Sequence, residues 1–271
     1  MGRIVAACAT SHVVMDPAPV RAQAQRVIEG FQRIAAEVAR ARPDVILYIT
    51  SDHMVNLGYR LQPAFALGCA DSYTPLGDMD IPREPMAGAG VFADGLLRHL
   101  DGAGFDLARA ETLEPDHGIA LPLRIINPGG RIPVAPLLVN INRTPPPSPA
   151  RCYALGEAIG AYIRSADCRQ RVAVLGTGGL SHWIATPGMG RVNADFDRQV
   201  LGLLTEGRAA EIATWSTEHI LENAGNGGLE IMCWLAMAGT VAGARGQTLY
   251  YEPIESWFTG MGALAMNLAA A

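Results

Sequence analysis

The chain contains no lysine, because all 21 of its basic residues are arginine. This absence excludes a Walker A lysine, a Schiff-base lysine and a lysine general base from the chemistry of the chain. Runs of basic residues are also absent, and the formal net charge of the 271 residues is -5. We therefore expect no nucleic-acid partner, since nucleic-acid recognition depends on clustered positive charge.

Cysteines and long apolar runs are scarce. The five cysteines are dispersed without a CxxC pair: Cys8, Cys69, Cys152, Cys168 and Cys233. This pattern excludes a disulfide framework and a thiolate zinc site, and it predicts buried thiols in a reducing cytoplasm. No run of about 18 apolar residues is present to span a membrane, and the N-terminus lacks the apolar core of a signal peptide. We expect a cytoplasmic protein without a membrane partner.

The apolar patterns indicate an α/β fold. Residues 4–10 and 43–51 are predicted to be buried strands, and residues 21–41 between them have the apolar spacing of an amphipathic helix. Further strands are predicted at 132–140, 171–175 and 247–253, and further helices near 88–100, 150–165, 193–206 and 228–238. Continuously apolar strands are typical of a parallel sheet that is covered on both faces. The proline-rich stretch 143–151 is interpreted as a loop, so residues 1–271 are predicted to form a single domain.

Three histidines each follow a predicted strand. His12 ends the sequence ATSH, His53 ends YITSDH and His182 ends GTGGLSH. Ligands of open α/β sheets bind beyond the carboxyl ends of the strands, so we expect these histidines to converge on one crevice. His117, in the Pro- and Gly-flanked segment EPDHGIALP, is predicted to lie in a loop and is a fourth candidate.

The remaining histidines are weaker candidates. His99 is predicted to lie on the surface of a helix. His219 and Glu222 have the i, i+3 spacing that can bind a metal on a helix, but their polar surroundings are typical of a solvated face.

Glu230 opens the apolar run of GNGGLEIMCWLAMAG. A carboxylate beside so much apolar surface is costly unless it is paired or bound to a cation. It is either an acidic residue stabilised by the dipole at a helix start or a metal ligand. Two imidazoles and one carboxylate form the facial triad of non-haem Fe(II) oxygenases, but the same donors also suit zinc and manganese.

The glycines of GTGGLSHW allow two interpretations, a phosphate cradle or a tight turn. A GxGxxG motif beginning at Gly176 and Gly178 would need a third glycine where Ser181 stands, and no lysine completes a P-loop. We therefore predict a tight turn at the strand exit that directs His182 at a substrate.

Several segments together resemble a known family, the class III extradiol ring-cleaving dioxygenases of the protocatechuate 4,5-dioxygenase catalytic (β) subunit type. The matching segments are SH at Ser11 and His12, SDH at Ser51 to His53, DHG at Asp116 to Gly118, RCYALGEAI at Arg151 to Ile159, TGGLSHW at Thr177 to Trp183, NADFDRQVL at Asn193 to Leu201, GLEIMCW around Glu230 and ESWFTGMGA near the end. Their order and spacing extend over nearly the whole chain.

The resemblance implies an αβα sandwich with a mixed, largely parallel central sheet. It implies Fe(II) held by His12, His53 and Glu230, with His117 and His182 as the catalytic histidines beside the iron. The implied reaction inserts both atoms of O2 and opens a dihydroxylated aromatic ring next to the diol. We hypothesise that His182 is the base and proton relay, since histidine titrates near neutral pH, and that His117 holds a substrate oxygen.

The resemblance also bears on partners and substrate. In the family a separate small α subunit covers the site, so we expect either such a partner or self-association of this chain. The ring is expected to be a polar or carboxylated catechol, with an aminophenol or an N-heterocycle as alternatives. A ring carboxylate would bind an arginine such as Arg131, Arg143 or Arg151. The alternatives are a zinc-dependent hydrolase or lyase with the same His/Glu site, and a non-catalytic metal-binding relative of the fold.

Overall fold

The computed structural model describes residues 1–268. Within this part of the chain, ten strands are numbered β1 to β10 in chain order: Arg3–Thr10, Val45–Ser51, Phe65–Gly68, Ser72–Tyr73, Met86–Ala87, Ala108–Ala110, Val134–Val139, Arg171–Thr177, Gly246–Ile254 and Thr259–Met266. Eight α-helices, α1 to α8, are Arg21–Ala41, Gly90–Gly102, His117–Ile126, Pro149–Arg164, Ala194–Thr205, Ala209–Ile212, Thr217–Ala224 and Ile231–Thr240.

Eight strands form one mixed sheet in the order β6-β3-β7-β2-β8-β1-β10-β9. The four central strands β7, β2, β8 and β1 are mutually parallel, whereas β10 pairs antiparallel with both β1 and β9. Strands β4 and β5 form a separate two-stranded sheet. The predicted α/β fold with a mixed, largely parallel sheet is confirmed.

Helices cover both faces of the sheet. On one face, α1 packs through Phe31, Ile34 and Val38, which lie on a single stripe of the helix and are fully buried. On the other face, α8 is buried along its whole length, which explains why its sequence is apolar all round. The central strands therefore have no solvent-facing side, as their continuous apolar sequence predicts.

Two local predictions need correction. His117 was expected in a loop, but it is the first residue of α3, and the side chain of Asp116 caps this helix by accepting a hydrogen bond from the Gly118 N–H at 2.9 Å. Strand β10, rich in Gly and Ala, was not predicted at all. It forms because two neighbouring strands supply its hydrogen bonds.

The other local predictions hold. The predicted loop 143–151 ends at Ser148, which caps α4, so its last three residues are helical. All five cysteines are buried free thiols. Among residues 1–268, no helix combines the length and the apolar character needed to cross a membrane.

Candidate metal centre

The carboxyl ends of three neighbouring parallel strands meet at one point of the sheet. His12 follows β1, His53 follows β2, and His182 follows β8, which lies between them. The start of α3 adds His117, whose ring centroid is 4.3 Å from that of His53. All four histidines line the same cavity. The convergence expected from the strand ends is thus present in the structure.

Three of these rings could hold a metal ion. His12, His53 and His117 each offer a ligand atom, and these atoms lie within 4.8 Å of one another. The Oε1 atom of Glu230 lies 3.6 Å from Nε2 of His12 and 3.4 Å from Nε2 of His53. His12 and His53 therefore belong to two overlapping donor sets, one completed by His117 and the other by Glu230.

Glu230 is held rigidly at this point. It ends a short 3₁₀ helix, Gly227–Glu230, directly before α8, and its side chain is almost fully buried. Its carboxylate accepts hydrogen bonds from the Ser51 hydroxyl at 2.6 Å and from the Gly179 N–H. It makes no capping bond to α8. The carboxylate is thus directed at the histidines and does not serve the helix terminus.

Charge complementarity keeps Glu230 ionised. Burial raises the pKa of this carboxyl, but the facing rings of His12, His53 and His182 outweigh burial and hold the pKa well below its usual range. A buried carboxylate among imidazoles is suited to bind a divalent cation.

Three of the histidines are oriented through Nδ1. His53 Nδ1 lies 2.9 Å from Oδ2 of Asp116, and His117 Nδ1 lies 2.6 Å from Oδ2 of Asp78. His182 Nδ1 donates to the carbonyl of Leu180 at 2.9 Å. Such contacts fix the tautomer and leave Nε2 free to face the centre.

His12 and His53 differ in their affinity for protons. Burial lowers the pKa of His12 to about 4, although the facing carboxylate of Glu230 opposes this shift. Its Nδ1 is buried without a hydrogen-bond partner among the described residues. Burial also lowers the pKa of His53, but its hydrogen bonds to Asp116 and Glu230 outweigh burial and raise the pKa to about 10. A bound cation would displace the proton from His53.

Glycines allow the close packing of the centre. Gly178 has a φ of 144°, and a Cβ atom there would lie 2.4 Å from Cβ of Glu230. The carbonyl of Gly178 accepts a hydrogen bond from the Trp234 indole at 3.1 Å, which fixes the turn after β8. Because the N–H of Gly179 donates to Glu230, it is not available to cradle a phosphate.

The other candidates lie elsewhere. His99 packs on the ring of Tyr162, and His219 packs against Trp215.

The sequence did not reveal Asp78 as a partner of His117, because Asp78 lies in an irregular Gly-, Pro- and Asp-rich stretch without periodicity. Asp116 is part of the motif DHG, but its contact with His53, 63 positions away, has no signal in the sequence.

Comparison with known proteins assigns the family. Residues 7–262 match the family described as the catalytic LigB subunit of aromatic ring-opening dioxygenase. A relative from Photorhabdus laumondii named 2,3-dihydroxyphenylpropionate/2,3-dihydroxicinnamic acid 1,2-dioxygenase is 29% identical, with 90% of each chain covered. A relative of the same name from Azotobacter vinelandii is 31% identical, covering 86% of this chain and 88% of its own.

A solved structure has the same fold. The crystal structure of an uncharacterized protein from Escherichia coli superposes with a TM-score of 0.67, at 16% identity, over 97% of this chain and 100% of that chain.

Proposed function

The chain belongs to the family of catalytic LigB subunits of aromatic ring-opening dioxygenases, and we propose that it performs extradiol cleavage of a catechol-type ring with Fe(II). It is a ring-cleaving dioxygenase that opens dihydroxylated aromatic compounds.

We assign His12, His53 and Glu230 as the iron ligands. The observation that carries this assignment is the approach of Oε1 of Glu230 to Nε2 of both His12 and His53, at 3.6 Å and 3.4 Å. Imidazole and carboxylate donors without a thiolate suit Fe(II), and they leave positions open for other ligands. When bound, the iron would supply a Lewis acid for the two oxygens of the diol and a redox centre for the reaction with O2.

His182 is then the base that takes a proton from the diol. Its Nδ1 carries a proton, because the Leu180 carbonyl can only accept, so its Nε2 is free to receive another. This Nε2 lies 3.6 Å from Oε2 of Glu230, at the edge of the proposed iron site. The base therefore faces the same space as the ligands.

His117 holds the other substrate oxygen. Its Nδ1 is engaged by Asp78, so the opposite nitrogen is presented to the cavity it lines. Two histidines that line the same cavity as the proposed ligands can orient a diol and hold its protons.

We further propose that a partner closes the cavity and that the protein is cytoplasmic. A small α subunit or a second copy of the chain would cover the cavity mouth, and light scattering after co-purification would distinguish the two. A cytoplasmic location is supported by the five free thiols.

The test is O2 uptake by anaerobically Fe(II)-loaded protein with a panel of catechols, gallate, aminophenols and dihydroxypyridines. We expect uptake and a coloured ring-opened product with at least one ring, and no uptake with zinc-loaded protein. His182→Ala should abolish turnover while iron stays bound, and His219→Ala, outside the centre, should not affect it. Full turnover by His182→Ala with iron bound would refute the assigned base.

A further inference from the structure

We propose that the ring opened by this chain carries a neutral, apolar substituent and no anionic group. This inference rests on the proposed ring-opening function and specifies its substrate class. It follows from the side chains that line the rest of the cavity, away from the histidines.

The cavity has an apolar rim. Five large hydrophobic side chains that line it are 36% to 50% exposed: Met15, Met54, Met79, Ile184 and Met189. Exposed apolar side chains gathered around one concave surface mark a site for an apolar ligand. Methionine is suited to this role, because its flexible thioether packs well against aromatic and alkyl groups.

Three residues of the cavity lining have a strained, left-handed backbone conformation. Met54 has a φ of 62°, Met79 has 50° and Phe258 has 60°, and all three line the cavity. Left-handed conformations of non-glycine residues cost free energy and persist where the surrounding structure imposes them, often at ligand sites. The apolar side chains are therefore placed at the cavity by the fold and are not incidental surface residues.

No arginine of residues 1–268 faces this space. Among the described residues that line the cavity there is no arginine, and the chain has no lysine. The guanidinium of Arg151 lies over the ring of Phe105, and that of Arg191 lies over Trp183. Arg131 and Arg143 are also outside the lining. The arginines expected to bind a ring carboxylate are thus not placed to do so.

The two amide side chains of the lining are already engaged. The side-chain amide of Asn226 accepts a hydrogen bond from the Ile184 N–H and donates one to the Ile184 carbonyl. The side-chain amide of Asn142 donates to the carbonyl of Asp52. The charged lining residues apart from histidine are the carboxylates Glu230 and Asp52. A substrate carboxylate on the ring substituent would therefore meet the apolar rim without an arginine or a free amide to pair with, which is unfavourable.

The size of the cavity indicates a substituted ring. Its volume is about 540 Å³, within the range of sites that enclose drug-sized ligands. A bare catechol, with eight heavy atoms, would contact the histidines but leave the methionine rim unfilled. An alkyl or aryl group on the ring would cover the rim.

Three matched diols test the proposal. The probes are 3-butylcatechol, 2,3-dihydroxyphenylpropionate and the uncharged amide of that acid, each measured as kcat/KM by O2 uptake with the iron-loaded chain. We expect 3-butylcatechol to exceed the acid by roughly tenfold or more, with the amide between them. An acid that is turned over as well as both neutral compounds would overturn the proposal.

Failure of the proposed function gives a different result. In that case no ring, including unsubstituted catechol, would consume O2. Anaerobic calorimetry of the same three diols with the iron-loaded chain still tests the preference, because the order of Kd values should follow the same charge dependence. Tightest binding of the acid would overturn the inference even without turnover.

A charge added to the rim should invert the preference. Met189→Arg is expected to raise kcat/KM for the acid relative to 3-butylcatechol, whereas Val91→Arg, exposed on α2 outside the lining, should leave the ratio unchanged. Arg143→Ala and Arg191→Ala should also leave the ratio unchanged. A selective loss of turnover of the acid in either alanine variant would show that an arginine does bind the carboxylate.

Discussion

Oδ2 of Asp78 lies 2.6 Å from Nδ1 of His117, and the same oxygen lies 3.2 Å from the His117 backbone N–H. Asp78 belongs to a short 3₁₀ helix in which Met79 and Asp80 have φ values of 50° and 59°. The strained segment thus delivers both the carboxylate that orients His117 and a methionine of the cavity rim. One irregular loop sets the position of a histidine and part of the substrate contact surface.

Replacement of Asp78 by Asn should impair turnover without loss of metal. The amide can donate to Nδ1 and so favours the wrong tautomer of His117. We expect kcat/KM to fall by about 10- to 100-fold. Iron content, measured by atomic absorption, should be unchanged, because His117 is not a ligand in the proposed set. The neighbouring exposed residue provides the control, Asp80→Asn, which should keep full activity.

Loss of iron from the Asp78→Asn variant would contradict this prediction. It would instead favour the donor set of three histidines, in which His117 binds the metal with His12 and His53. The iron content of this one variant therefore discriminates between the two sets.

Metal affinity should rise with pH between about 6 and 9. In the metal-free chain the pKa of His53 is raised to about 10, so a metal ion must displace a proton there. The affinity is then expected to increase about tenfold per pH unit, with about one proton released per ion. Calorimetry in two buffers of different ionisation enthalpy would measure this release. A pH-independent affinity would contradict the prediction.

The raised pKa of His53 also makes the stability of the metal-free chain depend on pH. Protonated His53 stabilises the folded chain, because its pKa is higher there than in the unfolded chain. This stabilisation is complete below the ordinary pKa of 6.5 and is lost as the pH rises towards 10. Asp116→Asn keeps an acceptor for capping α3 but removes the charge beside His53. It should therefore reduce both the proton release and the pH dependence of unfolding.

Gly178→Ala should disrupt the centre. A methyl group at this position would lie 2.4 Å from Cβ of Glu230, in a backbone conformation that L-residues rarely adopt. We expect a loss of about 2–4 kcal/mol in the free energy of unfolding and weaker metal binding. The control is Gly202→Ala in α5, where a Cβ meets nothing within 4 Å, and where about 1 kcal/mol should be gained. Equal unfolding midpoints for the two variants would contradict the predicted clash with Glu230.

Asp197 should be essential for stability, unlike its neighbour on α5. Its buried carboxylate accepts hydrogen bonds from the backbone N–H of Ser181 at 2.8 Å, from the Ser181 hydroxyl at 2.9 Å and from the Tyr251 hydroxyl at 2.8 Å. Asp197→Ala leaves these donors unpaired and should cost about 3 kcal/mol. Asp195→Ala, whose side chain is 99% exposed, should change the unfolding midpoint in urea very little. A small effect of Asp197→Ala would show that water replaces the carboxylate.

The apolar periodicity of the sequence was sufficient to predict helix α1 and the central strands of the sheet. Helix α1 begins and ends where its apolar stripe predicted, at Arg21–Ala41, and strands β1, β2, β7 and β8 lie within or beside their predicted ranges. Strand β10 could not be predicted, because its glycines and alanines have little intrinsic preference for extended structure. It is a strand only through its pairing with β1 and β9, which no local pattern records.

The histidines of the site could be predicted from the sequence, but the carboxylates that orient them could not. A polar residue directly after a buried strand is a local signal, and it located His12, His53 and His182. The contact between Asp78 and His117 depends on how a loop of irregular structure folds back, and it has no signature in the spacing of residues. The assignment of ligands and bases among these histidines depends on the family resemblance and stays a prediction.

Strand β8 separates β2 from β1 in the sheet, although it is made long after both. During synthesis on the ribosome, β1 and β2 emerge without the neighbour that pairs with each of them. A nascent chain that ends before residue 171 therefore exposes two apolar strands with open edges, a state prone to aggregate. Only the arrival of β8 joins the two strands. The centre thus forms late in folding, after most of the polypeptide has been translated.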